Sequence, residues 1–201
     1  MILSLLRFTH IASGTILYDG IDITKIPRKR LREALTIIPQ EPVLFSGTVE
    51  SNLDSTGQLP RETLQNVINA TRDVASFQFH KDIEAGEDGA RPVPPEEEGS
   101  PLGGEGLTLS TPVMAKGENF SHGQRQVLSL CRALVQKSKV MLLDEATANM
   151  DYETDRAIQE VLGREVVESG EERTLVTIAH RLRTIVGYDT VVVMDRGRVL
   201  E

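Results

Sequence analysis

The stretch Val140-Met-Leu-Leu-Asp-Glu-Ala-Thr-Ala-Asn-Met-Asp151 decides how the rest of the chain is read. Four apolar residues, Val140 to Leu143, describe a short strand buried on both faces, the pattern of a central strand in a parallel sheet. Two adjacent carboxylates, Asp144 and Glu145, follow where the chain leaves the sheet. Open α/β sheets gather ligands beyond the carboxyl ends of their strands, so these acids stand where chemistry is expected. Adjacent strand residues point to opposite sides. One carboxylate is therefore placed to hold a divalent cation and the other to receive a proton from an attacking water. Taken alone, the same residues equally describe a strand followed by a solvated acidic turn.

Downstream, Asp151 caps a helix expected over Tyr152 to Glu168, supported on its outer face by an i,i+4 pair such as Glu160–Arg164 and ended by Gly170. Thr174 to Ala179 is a third buried strand and ends on a polar residue, His180. Asp189 to Met194 is a fourth, followed by a turn at Asp195-Arg-Gly197 and the start of another at Arg198 to Leu200.

Upstream, Asn119-Phe-Ser-His-Gly-Gln-Arg-Gln126 opens a helix. Ser121 is its N-cap, and Val127, Leu128, Leu130, Cys131, Leu134 and Val135 form a wide apolar face. A helix N-terminus with exposed amides and a Ser hydroxyl suits phosphate, and it also suits a plain capped helix. Thr36-Ile-Ile38 is another buried strand, ending at Pro39-Gln40-Glu41-Pro42. Residues before proline avoid the helical region, so Gln40 is held in an extended loop, as a hydrogen-bonding group near a metal or water or as an ordinary loop residue. Between these landmarks lie a helix-compatible start (Met1 to Phe8), a strand Gly14 to Tyr18 closed by Asp19-Gly20, and a basic helical stretch Arg28 to Glu33. One or two turns over Thr48 to Leu53 capped by Thr48 or Ser46 follow, then an amphipathic helix from Pro60 to about Arg72 and a short one from Val74 to Phe79. The helix at Met1 lacks a leading cap, which leads us to expect that something precedes it.

Strands alternating with helices indicate a parallel α/β sheet. Asp144, Glu145, His180 and Gln40 then converge at one edge of it, a concentration of polar groups that a solvated turn does not call for. None of the four histidines has a Cys or His partner at ligand spacing, which excludes a zinc site.

Composition narrows the field further. The 201 residues hold 30 acids and 22 bases, but Asp82 to Gly106 alone carries eight acids and one Arg; the remainder is close to neutral, with 22 and 21. The acidity therefore belongs to one segment. Lys81 to Gly117 is crowded with Pro, Gly and Glu, a composition that favours a disordered insertion without catalytic duty. Cys131, the single cysteine, excludes an intrachain disulfide and reads as a small core residue. No apolar run reaches the roughly 18 residues of a membrane span, and Met1 to Phe8 lacks the basic leader of a signal peptide, so a cytosolic-facing soluble domain is expected.

With these residues in view, the sequence resembles the nucleotide-binding domain of ABC transporters over nearly its whole length. The order matches: a Q-loop at Gln40, a signature motif at Phe120-Ser-His-Gly-Gln-Arg-Gln126, a Walker B strand at Val140–Asp144 with Glu145, a D-loop at Ala148-Asn-Met-Asp151, and a switch His180. The wording Leu44-Phe-Ser-Gly-Thr-Val49 and Val127-Leu-Ser-Leu-Cys-Arg-Ala133 looks most like the second nucleotide-binding domain of the multidrug-resistance-associated subfamily. The resemblance implies a P-loop NTPase-like parallel sheet flanked by helices. Residues 1–45 and 137–201 would form the sheet core, and 46–136 a helical subdomain containing the acidic insertion 82–117.

It also implies ATP and Mg2+ as ligands. Asp144 would bind Mg2+ through water, Glu145 would be the general base, and His180 would hydrogen-bond the γ-phosphate. Gln40 would complete the metal and water shell and couple it to the membrane domains. Ser121, Gly123 and Gln124 would reach the nucleotide held by an opposing domain, and Asp151 would bridge that dimer. The implied partners are a second nucleotide-binding domain, arranged head to tail, and transmembrane domains, with no nucleic acid; the implied location is the cytoplasmic side of a membrane.

Two departures stand out. No Gly-x4-Gly-Lys-Ser/Thr occurs in the 201 residues, whereas the family carries that phosphate-binding loop just before the helix that begins here at Met1. The expectation is therefore a fragment lacking the N-terminal part of the fold and cut short after Glu201. His122 also stands where the common signature has a second Gly. The leading reading is the ATP-hydrolysing domain of a membrane exporter, and the alternative is a fragment or non-enzymatic module unable to bind ATP alone. ATPases of this type acting on chromosomes or ribosomes fit less well, because Thr48 to Leu53 suits transporter coupling and no long heptads flank the motifs.

Overall fold

The computed structural model describes residues 1–71, 107–148, 150, 152–168, 173–179, 181 and 185–200. Its centre is a three-stranded parallel sheet. Strand β6 (Val140–Asp144) lies between β3 (Leu35–Ile38) and β7 (Thr174–Ile178). The register places Leu35 opposite Val140 and Ile38 opposite Leu143 on one side, and Val140 opposite Thr174 and Asp144 opposite Ile178 on the other. Val140, Met141, Leu142 and Leu143 are all buried, as a central strand requires.

The period of two along β6 sorts its side chains into two cores. Met141 and Leu143 join Ile38, Leu44, Val49, Leu53, Leu64, Phe120 and the apolar face of helix α5 (His122–Gln136). Val140 and Leu142 join Ile2, Leu6, Ile23, Leu31 and Leu35 on the opposite face. One strand thus anchors both layers, because successive side chains point to opposite sides of the pleat.

The small elements follow local chemistry. Helix α1 is only Ile2–Leu5; the hairpin β1 (Leu17–Tyr18) and β2 (Ile21–Asp22) turns at Asp19 and Gly20, both at positive φ. Helix α2 (Arg28–Glu33) starts after Pro27, whose fixed φ suits a helix entry. A second hairpin pairs β4 (Gly47–Thr48) with β5 (Pro112–Val113). Helix α3 (Val49–Leu53) is capped by Thr48, whose Oγ1 accepts from Ser51 N while Ser51 Oγ accepts from Thr48 N. Helix α4 (Arg61–Ala70) buries Leu64 and Ile68. Helix α5 ends on Lys137 in the left-handed region.

Three expectations change. The helix after β6 is α-helical as α6 (Tyr152–Gly163) and widens into a π-helical turn over Arg164–Glu168. The supporting pair on it is Arg156 Nε to Glu160 Oε1 at 2.9 Å, so Glu160 reaches back one turn rather than forward to Arg164. The strand expected at Asp189 to Met194 is reduced to a hairpin of β8 (Met194–Asp195) and β9 (Arg198–Val199). Val191, Val192 and Val193 are exposed. Apolar β-branched residues form a strand only where a neighbouring edge accepts their backbone groups, and none of the described strands pairs with these three. The expected Val74–Phe79 helix and most of the acidic insertion fall outside the described residues.

Candidate functional site

Register alone brings two of the singled-out residues together. Ile38 lies opposite Leu143, so the chain two positions further on sets Gln40 level with Glu145. Gln40 Nε2 donates to Glu145 Oε2 at 3.5 Å, the outer limit of a hydrogen bond, which fixes their neighbourhood more than their geometry. Asp144 and Glu145 are both half-buried at the carboxyl end of β6. A Mg2+ ion bound with a nucleotide takes one or two carboxylates and fills the rest of its octahedron with phosphate oxygens and water. A half-buried carboxylate at Asp144, one residue before the Glu145 that Gln40 meets, fits that partial demand. A complete cage of three or more His, Cys, Asp or Glu is absent among the described residues.

Glu145 occupies an uncommon backbone state, with φ of 49°. A non-glycine residue in the left-handed region persists only where its surroundings hold it. Its N–H donates to Ile178 O at 3.1 Å, extending the β6–β7 ladder by one step, and its carbonyl accepts from Ala148 N at 3.0 Å. Glu145 to Ala148 thus form a tight turn, and Met150 N donates back to Thr147 O at 3.1 Å. Beneath it is a cavity of about 100 Å3 lined by Glu145, Thr147, Ala148, Gln159 and Arg181 among others. Arg181 grips the turn: Nη2 donates to Ala148 O at 2.8 Å and Nη1 to Met150 O at 3.0 Å. The same guanidinium lies 3.9 Å from the buried carboxylate of Asp155 on α6.

A second group occupies the start of α5. Ser121 Oγ accepts from Gln124 N at 3.2 Å and Gln124 Oε1 accepts from Ser121 N at 3.0 Å, a reciprocal box that squares off the helix N-terminus, with Gly123 half-buried between them. Gln126, one turn in and almost fully buried, donates from Nε2 to Pro39 O at 3.0 Å. The start of α5 is thereby tied to the loop that carries Gln40. Further along, Arg132 donates to Asn52 O, Asn52 Oδ1 and Val43 O at 2.8, 3.1 and 3.0 Å. Its burial pulls the guanidinium pKa below the ordinary value. These contacts hold the 43–52 segment, which leaves Val43 and Phe45 exposed.

The structure thus brings Asp144, Glu145 and Gln40 to one edge of the sheet, with Ser121, Gly123 and Gln124 on the first turn of α5. His180 and Asp151 lie outside the described residues. Gln126, Arg132 and Arg181 were not legible as site residues, because each acts on backbone carbonyls far away in the chain, and such acceptors leave no mark in sequence.

Residues 1–148 match the profile of the ABC transporter family. The chain belongs to that family. ABC transporter 7 of Pyricularia oryzae is 41% identical to it over 203 residues, which cover 99% of this chain and 12% of that protein. The ATP-binding cassette transporter abc1 of Schizosaccharomyces pombe is 40% identical over 199 residues, again covering 99% and 12%. The oligomycin resistance ATP-dependent permease YOR1 of Saccharomyces cerevisiae is 38% identical over 203 residues, covering 98% and 13%. The chain spans about 12% of the length of these relatives. Among solved structures, a bacterial Atm1-family ABC exporter with ATP bound superposes with a TM-score of 0.75 at 29% identity, covering all of this chain and 30% of the other. The parallel sheet flanked by helices is the fold of an ABC-exporter cassette domain. Among the described residues of this ABC chain no helix is long and apolar enough to cross a membrane.

Proposed function

We propose that the chain is the ATP-binding and ATP-hydrolysing domain of an ABC-type membrane exporter, coupling hydrolysis to transport across a membrane from its cytoplasmic side. The observation that carries this reading is the edge formed by Asp144, Glu145 and Gln40, in a chain that matches the ABC transporter family over residues 1–148. Mg2+ bound with ATP supplies charge neutralisation on the phosphate oxygens. Asp144 and Gln40 would be the residues that hold that ion. Glu145 takes the proton of the attacking water as its oxygen bonds the γ-phosphorus and the bond to the β–γ bridging oxygen breaks, releasing ADP and phosphate. His180, by likeness to the family's switch histidine, hydrogen-bonds the γ-phosphate.

Ser121, Gly123 and Gln124 face the nucleotide of a second cassette domain packed head to tail, and Asp151 bridges the two. What supports this assignment is the position of these residues on the first turn of α5, whose positive end favours an approaching phosphate; the capping box orders that end. We place the chain nearest the second cassette of the multidrug-resistance-associated subfamily, on the wording of residues 44–49 and 127–133. Drug-resistance names among the fungal relatives accord with that placement. We divide it into a sheet core at 1–45 and 137–201 and a helical subdomain at 46–136.

The alternative, a module that does not bind ATP alone, has one observation in its favour: the 201 residues contain no Gly-x4-Gly-Lys-Ser/Thr. The deciding experiment is Glu145→Gln in the full transporter polypeptide that carries this domain, assayed for steady-state ATP hydrolysis. Loss of a general base lowers turnover by about 10²-fold or more while ATP remains bound. Wild-type turnover in that variant removes Glu145 from the base role.

A further inference from the structure

The turn that begins at Glu145 is held partly by burial: Ala146, Thr147 and Met150 are buried, Ala146 and Met150 within the larger core. Glu145 to Ala148 also border the 100 Å3 cavity, where that packing is interrupted. The turn's first residue is in the left-handed region, a state that relaxes unless something holds it. Beyond that packing and the turn's own hydrogen bonds, two contacts tie its backbone to the rest of the fold. One is the ladder bond from Glu145 N to Ile178 O. The other is Arg181, whose planar guanidinium reaches two carbonyls of the same turn, Ala148 O at 2.8 Å and Met150 O at 3.0 Å. A fork that engages two acceptors in one plane sets the orientation of a backbone segment, which a point charge does not.

Arg181 is itself held by charge. Nη1 lies 3.9 Å from Asp155 Oδ2, and Asp155 is only 6% exposed. Its second oxygen, Oδ1, is buried without a hydrogen-bond partner among the described residues. A buried carboxylate so poorly provided for is retained by its cation, and the cation by it. Asp155 on α6, Arg181 beyond β7 and the carbonyls of Ala148 and Met150 therefore form a three-point clamp on the turn that Glu145 opens.

We propose that Arg181 is a positioning residue for Glu145: through Ala148 and Met150 it fixes the turn that aims the base, with Asp155 as its counter-charge. The proposal deepens the reading of Glu145 as general base and rests on it. Steady-state hydrolysis of Mg-ATP by the full transporter polypeptide tests both. Arg181→Ala is expected to lower kcat by about 10-fold to 10²-fold, the effect of a misplaced catalytic group, with KM for ATP changed by less than about twofold. Arg181→Lys keeps the attraction to Asp155, loses the fork, and recovers only part of the rate.

The discriminating measurement is the double variant. Residues that act through one another do not multiply their losses. In the Glu145→Gln background, Arg181→Ala is thus expected to lower the residual turnover by less than about threefold. A full multiplication of the two losses, or an unchanged kcat in Arg181→Ala, overturns the proposal. If Arg181→Ala does not accumulate, Asp155→Asn carries the comparison. It keeps the side-chain shape and removes the counter-charge, and an unchanged kcat there overturns the clamp. Wild-type turnover in Glu145→Gln defeats the base assignment and the proposal together. A dead Glu145→Gln beside a fully active Arg181→Ala defeats the positioning role alone.

Discussion

Single side chains carry the chemistry here, and their neighbours decide what each does. Glu145 and Asp144 are consecutive, yet the left-handed backbone at Glu145 turns the chain away from the strand just after Asp144. The two carboxylates thus rest on different backbone geometries, strand at Asp144 and left-handed at Glu145, which suits different roles. Cys131 is the opposite case, a reactive group made inert by position. It is fully buried, its Sγ lies 3.1 Å from Thr71 Oγ1, and burial raises its pKa to about 11. The folded chain should resist alkylation at about pH 8, where only thiolate reacts, and should react stoichiometrically once unfolded in urea. A thiol raised in the folded state holds its proton where the unfolded chain has lost it. Stability is therefore complete below the unfolded value of 9.0 and falls as pH rises towards about 11. Denaturation midpoints across that window check the sign, and Cys131→Ala should flatten the slope.

Among the elements, strand β6 and helix α5 were the most legible. Four consecutive apolar residues before Asp144, and an N-cap Ser121 ahead of a wide apolar face, are local signals that need no tertiary context. The structure returns both, with strand bounds at Val140–Asp144 and a reciprocal cap at Ser121 and Gln124. Because that cap satisfies otherwise orphaned amides, Ser121→Ala should destabilise the domain by about 1 kcal/mol, read as a lower urea midpoint with unchanged slope. The same variant weakens contact with a partner's phosphate under the proposed function, so the cost of unfolding and the loss of turnover are to be measured separately. Strands at the chain's end were read less well. Val191 to Val193 have every β-forming feature, but a strand is a pairing, and pairing is not written in one segment's composition.

For the molecule as a whole, one strand feeds two cores, and the polar edge lies where β3 and β6 end together. What these 201 residues do not contain is the glycine-rich loop whose amides and lysine grip the phosphates in this family. The chain by itself is therefore expected to bind ATP negligibly, and micromolar affinity by calorimetry refutes that. Fold class, the β6 strand, the capped helix and the acidic pair followed from the sequence alone, because periodicity, capping and strand-end placement are set by neighbours within a few residues. Tertiary structure alone decided that Gln126 holds Pro39 and that Arg181 grips the turn at Ala148 and Met150, and it set Gln40, already expected at this edge, against Glu145 itself. Those contacts join segments far apart in the chain, and their partners are fixed by strand register and backbone carbonyls, which every residue has and no motif distinguishes.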